Sequence, residues 1–240
     1  MPNVSMIDMA ALVWFLVMWN GYTFFADHMK HDGLSLLTVM KKHRLGWMHQ
    51  MLRREVRIVD ATIMSTLMRS VSLLSSTTLL ILAGLLAIMG SLDKVQALVA
   101  GIPFVEQASK TAWELKILTL LLIFVYAFFK FAWSLRQFNY AVILIGAAPP
   151  TSEANTPAAQ VFAQGAADVV ALAVSNFNRG MRAYYFGLAA LGWVLHPVLF
   201  ALATLWVLAV VYRREFRSQT LNFLEEIPGT SGIETSEKTR

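Results

Sequence analysis

The sequence predicts an all-α, polytopic membrane protein with four transmembrane helices, long cytoplasmic helical extensions and an amphipathic helix before the last span. Of its 240 residues, 57% are hydrophobic and only 15% are charged, whereas a soluble domain is about one quarter charged. Uncharged apolar runs of the length that a hydrocarbon core of about 30 Å requires recur along the chain. These observations exclude an ordinary soluble domain and a disordered chain.

The charge and the cysteine content narrow the functional classes. The formal net charge is +5 and the pI is about 9.6, but the Lys and Arg residues cluster beside apolar runs. There they orient membrane spans and meet anionic headgroups, so we expect no nucleic-acid partner. The chain has 0 cysteines, which excludes disulfides, thiolate nucleophiles and cysteine-ligated metal centres.

The first two spans are predicted at about residues 9–26 and 71–92. The first is bracketed by Asp8 and Asp27 and carries Trp and Tyr residues, which favour the membrane–water boundary. The second follows a charged stretch without Gly or Pro, so one helix from Arg54 to Gly90 would be about 55 Å long and would project from the bilayer.

The last two spans are predicted at about residues 116–134 and 183–212, with an amphipathic helix at about 157–178. Span four is too long for the hydrocarbon, so we expect it to tilt or to bend at Pro197. Residues 1–217 are predicted to form a single membrane domain. Residues 218–240 are predicted to be a polar, partly disordered tail.

The distribution of basic residues predicts an N-terminus outside the cytoplasm. Eight lie between spans one and two, namely Lys30, Lys41, Lys42, Arg44, Arg53, Arg54, Arg57 and Arg69, against only Lys94 and Lys110 in the next connection. Four spans then place the C-terminus outside, although three arginines follow the last span. In the alternative, 158–178 is a fifth membrane segment, which returns the C-terminus to the cytoplasm and places Asp168 in the bilayer.

A stripe of small residues follows the second span at spacings of three, four and seven. Its members are Ser65, Ser72, Ser76, Ala83, Ala87 and Gly90. Small and hydroxyl residues let membrane helices approach closely, so this face is predicted to pack against a helix. The alternative is a solvated pore lining, because Arg69 falls on the same stripe.

Basic residues near the predicted cytoplasmic ends of the spans are candidate contacts for an anion or a lipid headgroup. Arg69, Lys130 and Arg136 are expected to meet at the cytoplasmic mouth. In the alternative interpretation, each long side chain simply reaches the membrane interface.

No motif predicts catalysis or a resident cofactor. His28 and His31 are flanked by Asp27 and Asp32, but two His and two Asp without a further ligand make a weak metal site. We therefore expect no metal site, no cofactor and no enzymatic activity.

Four strings resemble an uncharacterised family of membrane proteins, catalogued as domain of unknown function five-nine-nine. They are LMRSVSLLSSTTLLILAG from Leu67, FAWSLRQFNYAVILIGAAP from Phe131, FNRGMRAYYFGLAALGWVLHP from Phe177 and ATLWVLAVVYRREFRS from Ala203. The resemblance implies a four-span protein of the cell membrane and supplies no activity. It adds Arg179 and Arg182 to the candidate anion contacts.

These features together predict a protein of the cell inner membrane that forms a homo-oligomer. The assembly would be channel-like, or would bind small anions or lipids at a basic cytoplasmic vestibule. Its expected partners are membrane lipids, including anionic headgroups, and further copies of the chain. The alternative is a non-catalytic accessory or assembly subunit of a larger membrane complex.

Overall fold

The computed structural model describes residues 4–28, 35–99, 101 and 109–227. All regular secondary structure in these residues is helical. The all-α prediction is confirmed for this part of the chain. The helices are α1 (Met6–His28), α2 (Leu36–Leu52), α3 (Ile58–Gly90), α4 (Leu92–Val99), α5 (Lys110–Gly146), α6 (Pro157–Leu195), α7 (Pro197–Phe216) and α8 (Gln219–Glu226), with a 3-10 turn at Thr151–Glu153.

Five helical segments are long and apolar enough to cross a membrane. They are Met6–Asp27, Ile58–Gly90, Lys110–Gly146, Pro157–Leu195 and Pro197–Leu224. The predicted count of four is therefore not confirmed. The additional segment is not the alternative at 158–178, which is the first half of α6; it arises because residues 183–212 form parts of two helices.

The chain reverses direction between α6 and α7. The Phe15 ring lies 5.9 Å from the Phe186 ring and 4.9 Å from the Phe200 ring, although fourteen residues of one continuous helix would span about 21 Å. A Cβ atom on Gly192 would lie 3.4 Å from the carbonyl oxygen of Leu199. The expected bend at Pro197 is thus a hairpin.

Three local features produce this hairpin. Pro197 has no N–H to continue the hydrogen bonds of α6. The exposed His196 ring accepts a hydrogen bond at Nδ1 from the Val198 N–H at 3.1 Å, and so caps the start of α7. Gly192 carries no side chain, which leaves room for the backbone of α7.

The three longest helices extend well beyond a hydrocarbon core. α3, α5 and α6 contain 33, 37 and 39 residues, which correspond to about 50, 55 and 58 Å. The predicted amphipathic helix at 157–178 is continuous with the apolar half of α6. Thr156 caps the start of this helix, because its hydroxyl accepts a hydrogen bond from the Ala159 N–H at 3.2 Å.

The chain divides into two compact units, and α3, α5 and α6 each contribute residues to both. Unit 1 comprises Met1–Asp27, Leu74–Lys130 and Asn178–Tyr212; unit 2 comprises His28–Leu73, Phe131–Phe177 and Arg213–Arg240. The core of unit 1 is aromatic. Phe15, Phe186, Trp193 and Phe200 are buried there, and the rings of Trp193 and Phe200 stack 4.9 Å apart.

The core of unit 2 combines methionines of α2 and α3 with an alanine face of α6. That face consists of Ala159, Ala163, Ala166, Ala167 and Ala173, all buried. Because alanine allows close helix approach, the Ser134 hydroxyl of α5 reaches the Ala173 carbonyl at 2.7 Å. Of the predicted tail, residues 219–226 form α8, which packs on α2; residues 228–240 lie outside the described part of the chain.

Candidate anion-binding site

Three of the basic residues predicted to contact anions lie together in unit 1, around one carboxylate. Arg179 and Arg182 of α6 donate hydrogen bonds to the two oxygens of Asp27, at 2.6 and 3.2 Å. Lys130 of α5 interacts electrostatically with both Arg179 and Asp27. We call these four residues the basic cluster.

The helical positions explain why the cluster forms. Arg179 and Arg182 are three residues apart on α6, so their side chains leave the same face of the helix. Asp27 lies in the last turn of α1. Lys130 is the last α5 residue of unit 1. The cluster therefore marks one end of this unit.

Two tyrosines hold the cations of the cluster from its apolar side. The Arg182 guanidinium lies 6.0 Å from the centre of the Tyr22 ring, and Lys130 Nζ lies 5.4 Å from the centre of the Tyr126 ring. Each tyrosine precedes the cluster by about one helical turn on α1 or α5. The electron-rich ring faces attract the cations and help to position them.

The cluster carries more positive than negative charge. Three cations and one carboxylate leave a formal surplus of two positive charges. Arg182 is 4% exposed and so is held inside the unit, whereas the Arg179 side chain is 32% exposed. The buried Nε of Arg179 has no hydrogen-bond partner among the described residues. Arg179 and Lys130 can therefore receive a further anion, with the guanidinium geometry suited to phosphate or carboxylate.

The other two predicted anion contacts, Arg69 and Arg136, belong to unit 2. Arg136 donates from Nε to the Tyr140 hydroxyl at 2.9 Å, one turn along the exposed face of α5. Arg69 is exposed on α3. Their predicted role in anion binding stays a prediction.

The predicted packing face of α3 is exposed in the single chain. Every member is exposed, namely Ser65, Ser72, Ser76, Ala83, Ala87 and Gly90. The opposite face, which carries Met64, Val71, Thr78 and Leu85 at intervals of seven residues, is buried. The small residues of α3 are therefore available to lipid or to another chain.

A second ionic contact, which sequence reasoning missed, is buried elsewhere in unit 1. Asp8 and Lys116 are each 2% exposed, and Lys116 Nζ lies 3.6 Å from Asp8 Oδ1. The Trp193 indole N–H donates to the same oxygen at 2.6 Å. The predicted topology contained a signal for this pair, because Asp8 and Lys116 lie at similar depth, near the outer ends of spans one and three.

A third polar cluster, in unit 2, was also missed. Asp60 is fully buried in the first turn of α3, and its Oδ1 accepts hydrogen bonds from Trp47 Nε1 and Arg54 Nη1, both at 2.6 Å. A carboxylate near a helix N-terminus is stabilised by the helix dipole. These contacts hold α2, its following turn and α3 together.

The weak metal site at His28 and His31 lies largely outside the residues that the structure describes. His31, Asp32 and the side chain of His28 are not among the described residues. Asp27, from the same string, is engaged by the arginines of the basic cluster. Within the described residues, no group of three or more His, Cys, Asp or Glu residues is arranged to hold a metal ion.

Comparison with known proteins finds one family. A family model described as "Protein of unknown function, DUF599" matches residues 10–220. No curated protein and no solved structure matches the chain. The match covers most of the chain, including all four residues of the basic cluster.

Proposed function

Because the chain belongs to the DUF599 family of proteins of unknown function, we propose its function from the geometry of the basic cluster. The protein binds small anions or anionic lipid headgroups at Lys130 and Arg179, as part of a channel-like homo-oligomer in the cell inner membrane. Its basic cytoplasmic vestibule contains the cluster.

The observation that carries the proposal is the surplus of positive charge in the basic cluster. Cations at the edge of a membrane-spanning unit are costly unless they are paired or solvated. Within the basic cluster, Asp27 contributes one negative charge against three cations and pairs with both arginines. A bound anion would compensate the remaining positive charge and would lie on the exposed side of Arg179.

Self-association is supported by the exposure of α3. Only 17% of its most apolar stretch is buried within the chain, compared with 50% for α5. One exposed stripe of α3, from Ser65 to Gly90, consists of small and hydroxyl-bearing residues, which are typical of membrane helix interfaces. Copies meeting through this face would bring Arg69 toward the interior of the assembly.

Anion movement in liposomes and the size of the particle in mild detergent test the proposal together. We expect an oligomer, with chloride or phosphate flux that falls on Arg179→Gln. The matched control is Lys110→Gln, which removes one positive charge from an exposed pair with Asp93 and is expected to leave the flux unchanged. A monodisperse monomer without anion binding or flux would contradict the proposal.

The accessory-subunit alternative predicts a different outcome from native membranes. An accessory protein would purify with other chains at a fixed stoichiometry. A self-associating protein would purify as multiples of its own mass. The alanine face of α6 is buried inside unit 2, so docking would use other surfaces, such as the exposed face of α3.

A further inference from the structure

An apolar groove runs along unit 1 between α1 and α5. Its volume is about 350 Å³, and its walls include Leu16, Trp19 and Thr23 on α1 and Leu118, Leu122 and Tyr126 on α5. Leu118 and Leu122 are 47% and 62% exposed. The groove is therefore open along its side, as a site for an elongated apolar ligand needs to be.

The groove leads to the basic cluster. α1 and α5 run in the same direction, because Asp8 and Lys116 pair near their starts and the Trp19 and Tyr126 rings meet further along, 5.6 Å apart. Tyr126 lines the groove and also lies beneath Lys130. Thr23, on the facing wall, precedes Asp27 by one turn. One end of the groove is consequently apolar and the other is cationic.

The length of the groove matches one leaflet. Its α1 wall extends from Leu12 to Thr23, which corresponds to about 16 Å of helix rise. Half of a hydrocarbon core is about 15 Å. A single acyl chain of a membrane lipid would therefore reach along the groove when its headgroup lies at the cluster.

We propose that the α1–α5 groove and the basic cluster together bind an anionic phospholipid. Its phosphate contacts Lys130 and Arg179, and one acyl chain lies between α1 and α5. The inference rests on the proposed function, because it takes the anion of the cluster to be a headgroup. Charge complementarity selects an anionic lipid over a zwitterionic one, whose headgroup carries its own cation.

A second apolar groove offers a matched comparison. It lies between α1 and α7, has a volume of about 510 Å³, and is lined in part by Gly21, Tyr22 and Leu205. The Tyr22 ring lies 6.0 Å from the guanidinium of Arg182, which is buried and forms an ion pair with Asp27. Neither Tyr126 nor Lys130 lines this groove, so filling it is expected to leave a lipid in the α1–α5 groove unaffected.

Native mass spectrometry of the purified full-length protein tests the inference with three probes: phosphatidylglycerol, phosphatidylcholine and glycerol 3-phosphate. We expect phosphatidylglycerol to bind about tenfold more tightly than phosphatidylcholine, as one charge-assisted contact provides. Lys130→Gln should remove this preference. Leu122→Trp, which fills the groove, should weaken both lipids about tenfold or more.

Two control variants accompany these changes. Leu205→Trp fills the other groove, and Lys110→Gln removes an unrelated cation; both should bind phosphatidylglycerol as the parent protein does. If Leu122→Trp does not accumulate as folded protein, Leu118→Trp blocks the same groove one turn earlier.

The outcomes separate the two proposals. Equal binding of the two lipids, or no effect of the groove-filling variants, overturns the lipid inference. Glycerol 3-phosphate bound as tightly as phosphatidylglycerol, and weakened by Lys130→Gln, overturns the acyl-chain site but leaves anion binding at the cluster intact. If none of the probes binds, both proposals fail.

Discussion

Two ionic contacts in unit 1 join side chains from different helices. Asp8 meets Lys116, and Asp27 meets Arg179 and Arg182. A charge removed from water is tolerated when an opposite charge and hydrogen bonds compensate it. Counted over these residues, the first set is formally neutral, whereas the second has one more cation than carboxylate. The second set is therefore the one that we propose as an anion site.

The buried pair predicts a large effect of a single substitution. Asp8→Asn keeps an acceptor for the Trp193 indole but leaves the Lys116 ammonium without its carboxylate. We expect the free energy of unfolding in mixed micelles to fall by about 3–5 kcal/mol, the cost of breaking a buried pair. Denaturant titration monitored by circular dichroism measures the change.

Two further variants make this prediction specific. Asp93→Asn breaks the exposed pair with Lys110, so it should not change the unfolding midpoint measurably. Asp8→Asn combined with Lys116→Met removes both charges and should recover much of the lost stability. Equal effects of Asp8→Asn and Asp93→Asn would show that the buried pair contributes no more than an exposed one.

At the scale of elements, α3 has two faces with different roles. Its buried face carries Met64, Val71, Thr78 and Leu85, and the Thr78 hydroxyl lies 2.7 Å from the Tyr184 hydroxyl of α6. Its exposed face carries the small residues predicted from the sequence to pack. The spacing correctly identified a stripe of small residues. It did not reveal that this stripe is unused within one chain, because periodicity defines a face and not its partner.

Cysteine cross-linking tests what covers this face. The chain contains no cysteine, so a single introduced thiol can form a disulfide only between copies. We expect Ala83→Cys to yield cross-linked dimers when membranes are oxidised, because the Cα atoms must approach within about 7 Å. Non-reducing electrophoresis gives the readout.

The matched control is Gly84→Cys. This residue lies at the same depth, is exposed and has open space for a side chain, but it is one position along the helix, which turns it by about 100° away from Ala83. We expect little cross-linking there. Equal cross-linking at both positions would indicate random collision in the membrane, and no cross-linking at Ala83→Cys would argue against association through α3.

At the scale of the whole molecule, the hairpin at His196 bears on a conflict in the predicted topology. Four spans with an outside N-terminus placed Arg213, Arg214 and Arg217 outside, against the usual preference of basic residues for the cytoplasm. With the predicted outside N-terminus, five spans would place these arginines on the cytoplasmic side. The same rule that oriented the first connection would then also account for the end of the last span.

Reporter fusions test this topology. We expect a fluorescent protein fused after the last residue to be bright and alkaline phosphatase at the same position to be inactive, because five spans with the predicted outside N-terminus would place the C-terminus in the cytoplasm. Fusions after Leu195, before the hairpin, should give the opposite pair of results. The same result at both positions would contradict a reversal at His196. Active alkaline phosphatase at the C-terminus would place it outside the cytoplasm and would favour four spans.

The sequence by itself determined the helical class, the apolar segments, the small-residue face of α3, and Lys130 as a candidate anion contact. Composition and periodicity encode these directly, because each depends on residues close together in one helix. The family resemblance added Arg179 and Arg182 as candidates. The tertiary structure decided that residues 183–212 form a hairpin, that Asp27 joins the arginines, and that Asp8 and Lys116 pair. Those outcomes depend on residues from different helices meeting, and helical periodicity contains no information about which helices become neighbours.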